Sequence, residues 1–573
     1  MIGNGPVDYA AIRLSITGLR AVAPASIAYL AACMLKHSWF YLPVGLLAAS
    51  EAAFYLFVYL PRHSRLQAPP RKAPLRLTSA QRKALFDRCV AAESHGAPTS
   101  LPYPRGWFLP NETPPRREDV VDWLLWALFS TSREQTNIEE HQEEITGYIE
   151  CIERLLGTPL KPGRSNSAEL RSMRITLDPV KMLHRPLLWY FVVALVDTYT
   201  SIILTSLGFK HYTPRDAQWR RTFPPRPVLY LLSRNAPNGA VTPYWLRPHT
   251  SSSEHPLVFL HGIGIGLYPY IPFLRSLISA GPTAGILLPE MMSICMHMTP
   301  RSVPPREEML TSLNLILESL RATGDTTDSR QPLLTGAGWD SIVLSAHSYG
   351  TFVAGWIIRE GTASGAQASG LNAKIAHLVL VDPIPILLSN PTVAHNFLYR
   401  SPSTVCPYRL GSTPTVEDAA SPPRRAWYSA PAAWQLWYFA SRDADVAHTL
   451  FRSFFWAEGG LWREDVDEWI DGGRSVAVVL GGKDQIVPAE AVRRYLSGEA
   501  GSVAHWVRPG GSHAEAPSMV GGYMSRSQAS STRVYPRGKL EVLFNPVLDH
   551  AVIFDEARWT VPLIEVVRRY IGD

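Results

Sequence analysis

Two long apolar stretches open the chain. Leu14 to Leu35 carries Arg20 as its only charge, and Trp39 to Leu60 carries Glu51 as its only charge. A membrane-crossing helix needs about 20 such residues, so each stretch predicts one. The polar break between them, Lys36-His37-Ser38, has room only for a tight hairpin. Beyond it, the basic residues from Arg62 to Arg88 are interrupted by a single acid, Asp87. Basic residues after a span favour the cytosolic side. Residues 1–65 therefore read as a transmembrane hairpin that holds the rest of the chain in the cytosol, at the endoplasmic reticulum or a lipid droplet. A cleaved signal peptide fits poorly, because the second apolar stretch follows at once and no basic cluster opens the chain.

A third apolar stretch, Pro186 to Phe209, has Asp197 as its only charge, within a polar group at its middle. Basic residues flank it on both sides: Lys181 and Arg185 before, Lys210, Arg215, Arg220 and Arg221 after. A span would put one cluster on the wrong side and the polar group in lipid. A buried or membrane-surface helix is expected at 186–209 instead. Around it, residues 66–225 read as a helical connector region. Pro-rich segments at 61–74 and 99–115 look like linkers. Glu118 to Phe129 has helical spacing, and the acidic run Glu139 to Glu153 suits a solvated helix face.

From about Pro227 the texture changes. Short apolar runs appear at Val241–Leu246, Pro256–Leu260, Gly285–Leu288, Ser341–Ser345, His377–Val381, Ser475–Leu480 and Leu540–Phe544. Helical patterns lie between several of them, at Tyr268–Ala280, Glu307–Thr323, Tyr349–Glu360 and Ala489–Gly498. Buried strands alternating with helices predict an α/β domain, a largely parallel sheet covered on both faces, over residues 226–573.

Composition narrows the classes. With 46% hydrophobic and 18% charged residues, the chain is neither disordered nor a coiled coil. A balance of 55 basic and 49 acidic residues does not point to nucleic acid. The five Cys are scattered without a CxxC pair, which suits a reducing compartment. Cys295 and His297 lack further ligands at metal spacing and read as core; no metal or cofactor is implied.

The chemistry sits at the strand ends. Ser341-Ile-Val-Leu-Ser345 runs into Ala346-His347-Ser348-Tyr349-Gly350, a small-x-Ser-x-Gly turn between strand and helix. Small flanking residues let the backbone turn sharply and lift the Ser348 hydroxyl off the sheet. The strand Pro256–Leu260 ends in His261-Gly262-Ile263-Gly264, so the N–H of Ile263 can join that of Tyr349 in holding an oxyanion. The acid and base should follow in the order Ser, Asp, His. Asp484, after Ser475–Leu480, is the expected acid, with Asp382 as its rival. His550, after Leu540–Phe544, is the expected base, with His513 as its rival. The clearer last strand and the helical tail favour His550, whereas 509–538 reads as a loop insertion.

Here the chain resembles the α/β-hydrolases, and among them membrane-associated hydrolase-like proteins of fungi with relatives in plants. The resemblance rests on Leu257-Val-Phe-Leu-His-Gly-Ile-Gly-Ile-Gly266, Ala346-His-Ser-Tyr-Gly-Thr351, Val381-Asp-Pro383, Val446-Ala-His-Thr-Leu450, Leu461-Trp-Arg-Glu-Asp465, Gly482-Lys-Asp484 and Leu548-Asp-His-Ala-Val-Ile-Phe554, and covers roughly residues 118–573. It implies a triad of Ser348, Asp484 and His550 and no particular substrate. Residues from about 384 to 472 exceed what such a sheet needs and read as a cap whose aromatics line an apolar pocket. The expected activity is that of a membrane-anchored serine hydrolase of the esterase or lipase type, acting on an apolar or lipid-like acyl ester. Acyl transfer on the same triad, and a non-catalytic membrane scaffold, are the alternatives.

Overall fold

The apolar runs beyond Leu257 show no polar alternation, as expected of strands covered on both faces. In the computed structural model they form the centre of one ten-stranded sheet. The structure describes residues 5–37, 41–69, 76–95, 102–110, 113–166, 170–215, 221–322, 338–360, 370–402, 430–497, 502–505 and 539–573. His513 and the whole 509–538 segment lie outside the described residues.

In chain order the strands are β1 (Lys210–Thr213), β2 (Arg234–Asn235), β3 (Tyr244–Arg247), β4 (Leu257–Leu260), β5 (Ile286–Pro289), β6 (Ile342–His347), β7 (Ile375–Val381), β8 (Ser475–Gly481), β9 (Ser502–His505) and β10 (Leu540–Asn545). Their spatial order is β9-β10-β8-β7-β6-β4-β5-β3-β1-β2. Every pairing from β9 to β5 is parallel, and β3 runs antiparallel to both of its neighbours. The seven expected strands are all present. β1, β2 and β9 were not legible as apolar runs, and β1 falls inside the stretch expected to be connector.

Because side chains alternate across a strand, each central strand feeds two cores. Ile342, Leu344 and Ala346 of β6 enter one, and Val343 between them enters the other. The first core takes the helix after Ser348, Tyr349–Ile358, together with helices of the connector region. Phe86, Trp107, Trp123 and Ile149 pack into that same core, so the connector helices and the sheet share one interior. The second core takes Phe273 and Leu274 from the helix Ile271–Ala280, and Leu563 and Val567 from the last helix, Ala557–Gly572.

Among the described residues, three helices are long and apolar enough to cross a membrane: α1 (Pro6–Lys36), α2 (Leu42–Leu66) and α3 (Leu187–Ser206). The helix Tyr349–Ile358 is α4. α2 continues through Pro61–Leu66, part of the stretch expected to be a linker, and Arg62 ties it to Asp445 at 2.5 Å. The hairpin is also fastened to the rest of the molecule through Ile12 and Ile16 of α1, which bury against Tyr438. Glu51, the lone charge of the second stretch, accepts the N–H of Leu187 at 2.8 Å and so caps the start of α3. A carboxylate there suits the positive end of a helix.

Candidate active site

The candidate catalytic groups stand at the ends of β6, β8 and β10. Ser348 stands between β6 and α4 with φ 50° and ψ −118°, a strained conformation for a residue with a side chain. Glycine makes the turn possible on its far side. A Cβ on Gly350 would lie 2.2 Å from the carbonyl oxygen of Leu260, so no larger residue lets α4 start this close to β4. Ser348 Oγ lies 2.9 Å from His550 Nε2, and His550 Nδ1 lies 2.7 Å from Asp484 Oδ2. Asp484 Oδ1 accepts the N–H groups of Ile486 at 2.7 Å and Val487 at 2.9 Å, which aims its other oxygen at the imidazole. The structure thus brings together Ser348, His550 and Asp484 from segments far apart in the chain.

Burial works to lower the His550 pKa. Attraction to Asp484, the hydrogen bond between the two, and the nearby charges of Asp382 and Asp549 outweigh it and lift the imidazole to about 9. Asp549 accepts the N–H of Gln485 at 2.9 Å and of His550 at 2.7 Å. Its burial, with Asp484 close by, pushes its own carboxyl up to about 6.

The loop after β4 meets the elbow closely. A Cβ on Gly262 would lie 2.8 Å from Ser348 Cβ and 2.9 Å from His347 Nδ1. Ile263 therefore follows a residue in contact with the serine, and Tyr349 follows the serine itself at the first position of α4, where helical N–H groups have no partner within the helix. The loop is held by a chain of polar contacts. Gly262 donates to the Tyr270 hydroxyl at 2.9 Å, and that hydroxyl lies 2.8 Å from His347 Nδ1. With Tyr270 accepting from Gly262, its one proton is left for Nδ1, which puts the His347 ring proton on Nε2. Nε2 faces Asp382 Oδ2 at 3.7 Å.

Asp382, the rival acid, does not touch His550's ring. It takes φ 45° at the end of β7 and accepts two backbone N–H groups, from Gly481 and from Ala551. Asp382, Asp484 and His550 offer ligand atoms within 4.8 Å of one another, as a cation site would. Each of their four carboxylate oxygens already accepts a hydrogen bond, so the cluster is accounted for without an ion. Cys295 and His297 are buried, with His297 Nδ1 on the Cys295 carbonyl and the Cys295 thiol donating to that of Met291.

Described residues of the insertion between β7 and β8 pack on the sheet domain and on the hairpin. Phe454 stacks on Phe352 of α4 with centroids 4.1 Å apart, and Tyr438 is wholly buried against the hairpin. Trp427 and Tyr428 lie outside the described residues. Sequence reasoning missed Tyr270, which belongs to no motif, and His347, which fills an unspecified position of the elbow motif; only the fold sets them beside Gly262.

The parallel sheet with one antiparallel strand near its edge, a serine on a strained turn after the central strand β6, and an acid and a histidine after β8 and β10 define the α/β-hydrolase fold. No family model matches the sequence, and no curated protein does. Among solved structures, the chain is similar to a bacterial membrane phospholipase A (10% identity over 67% of this chain and 94% of the other, TM-score 0.35). It is also similar to a carboxylesterase of the thaumarchaeon Nitrososphaera gargenis (12%, 58% and 97%, 0.31) and an esterase of Thermogutta terrifontis (14%, 57% and 93%, 0.30). Likenesses of this strength say nothing of activity.

Proposed function

We propose that the protein is a membrane-anchored serine hydrolase that cleaves an apolar acyl ester, with its hydrolase domain in the cytosol. The observation that carries this reading is the continuous contact from Ser348 Oγ through His550 to Asp484, built on the strained turn. In the proposed reaction His550 Nε2 takes the Ser348 proton as Oγ attacks the ester carbonyl. The N–H groups of Ile263 and Tyr349 hold the oxyanion, each worth on the order of 3 kcal/mol. His550 then gives its proton to the departing alcohol, leaving an acyl group on Ser348. Water, deprotonated by the same Nε2, releases the acid and restores the serine. Asp484 orients the ring and balances its charge. The three long apolar helices support attachment to a membrane.

The test is covalent labelling with a fluorophosphonate. The unsubstituted protein should label and should hydrolyse short-chain aryl esters; S348A should do neither while keeping its circular-dichroism spectrum. Labelling that persists in folded S348A would remove Ser348 from the reaction.

A further inference from the structure

One face of α3 is bare among the described residues. Leu188, Phe191, Val192, Leu195, Tyr199 and Ile202 are exposed, at spacings that align them in one stripe. From Leu188 to Ile202 the stripe runs about 21 Å at 1.5 Å per residue. A solvated helix face carries charge, yet no exposed residue of α3 is charged.

Two neighbours extend the patch. The short helix Pro227–Leu232 exposes Val228, Leu231 and Leu232. It is tied to α3 by Arg226, which grips Asp197 at 2.8 and 2.9 Å. Tyr268, also exposed, sets its ring 6.1 Å from that of Tyr199. Contiguous apolar surface of this kind marks a partner or a membrane. The membrane is favoured because the patch continues the hairpin: Phe54 of α2 shares a cluster with Trp189, Tyr190 and Val193 of α3, while Leu46, Leu47 and Phe57 of α2 stay exposed. Lys210, Arg215, Arg221 and Arg234 are exposed beyond the C-terminal end of α3 and would face anionic headgroups.

A crossing is disfavoured. The buried positions of α3 run from Trp189 to Leu204, so the sheet domain accompanies the helix along its length. The patch also borders the active site. Tyr268 follows the loop that carries Ile263, and Ile265 of that loop packs on the cluster of Trp189 and Tyr190.

We infer that α3, with Pro227–Leu232 and Tyr268, lies along the surface of the bilayer that takes the hairpin, its apolar face sunk in the interfacial layer about 5–10 Å deep. The active site then draws an acyl lipid from the membrane rather than from water. The choice of substrate rests on the serine-hydrolase reading; the placement of α3 does not.

The test uses the full-length protein in vesicles of phosphatidylcholine and phosphatidylserine. A polarity-sensitive fluorophore is attached to L188C, L195C or I202C, with the unsubstituted protein treated alike as background. All three should emit to the blue and be quenched by nitroxides placed near the headgroups more than by nitroxides deep in the chains. Water-like emission would overturn the inference, as would blue emission that no lipid nitroxide quenches, which means a second protein copy covers the face. Deeper quenching at Leu195 than at both ends means a span and overturns it too. In a second arm, F191D/L195D should lose about tenfold or more on diacylglycerol carried in the vesicles while keeping its rate on a water-soluble short-chain ester within about twofold. An equal fall on both substrates would count against the interfacial role. If the unsubstituted protein turns over neither ester, the hydrolase reading fails and the depth measurement still decides the placement of α3.

Discussion

Asp382 accepts the backbone N–H of Ala551, the residue after His550, at 2.9 Å, and with its other oxygen the N–H of Gly481, at 3.1 Å. One carboxylate thus joins the strand end that bears the acid loop to the loop that bears the histidine. Through His347 and Tyr270 it is also linked to the Gly262 turn. Asp382 is in this reading a positioning residue, and D382N should test it. An amide can accept one of the two N–H groups but must turn its own NH2 toward the other. The expected result is a kcat lower by about 10- to 100-fold with little change in KM. Asp382's charge also helps hold the His550 pKa up, so the midpoint of the pH–rate profile should move down. An unmoved midpoint would leave Asp382 a structural role only.

Histidine choice is tested by paired variants. H550A should lower kcat by about 10⁴-fold or more, since an unassisted serine hydroxyl is a poor nucleophile. H513A should change it little, because His550 already contacts both Ser348 and Asp484. Similar losses in both variants, measured on one aryl ester, would contradict the assignment.

The pH dependence follows from His550. In the proposed mechanism the neutral imidazole is the base, and a pKa of about 9 would leave only about one molecule in a hundred competent at pH 7. kcat/KM should therefore rise with pH through about 9 and then level off. Stability should run the other way. A folded-state pKa raised above the ordinary 6.5 gives stabilisation that is complete below pH 6.5 and lost as pH rises through about 9. In D484N both trends should weaken and the rate should fall. Paired rate and melting profiles between pH 6 and 10 would check this.

Arg226 holds α3 to the sheet. Its guanidinium reaches Asp197 of α3 and both oxygens of Glu290, beside β5, and Glu290 is also 2.9 Å from His211 Nε2. R226A would leave two carboxylates without their cation in a buried site, at a cost of about 3–5 kcal/mol. R226K should recover only part of it, because an ammonium cannot form the fork. Urea unfolding in one detergent would measure both.

Much of the fold lies in local pattern. Runs such as Leu257–Leu260 and Ser475–Leu480 are strands because a β-branched or aliphatic run of that length, bounded by Gly or Pro, has few other ways to bury itself. The turn at Ser348 was legible for a similar reason: small residues flank a serine between strand and helix. The last two strands on one side of the sheet, β1 and β2, were not. They are short, partly polar, and owe their conformation to the strand beside them. The partners of the charges in the apolar stretches were not legible either: in the folded chain Glu51 caps α3 and Asp197 pairs with Arg226.

By itself the sequence determined the α/β class, the serine on its turn, and the order in which acid and histidine follow, because each depends on residues adjacent in the chain. Asp382 and Asp484 both end a strand, and the sequence favoured Asp484 while leaving Asp382 as a rival. Only the tertiary structure decided between them: strand order and loop direction set Asp484 against His550 Nδ1 and leave Asp382 bracing the backbone behind it. The same holds for α3, whose apolar residues are plain in sequence while the face left bare depends on which side the sheet domain covers. Contacts between residues hundreds of positions apart carry no signature in either residue's neighbours, so they emerge only when the chain is packed.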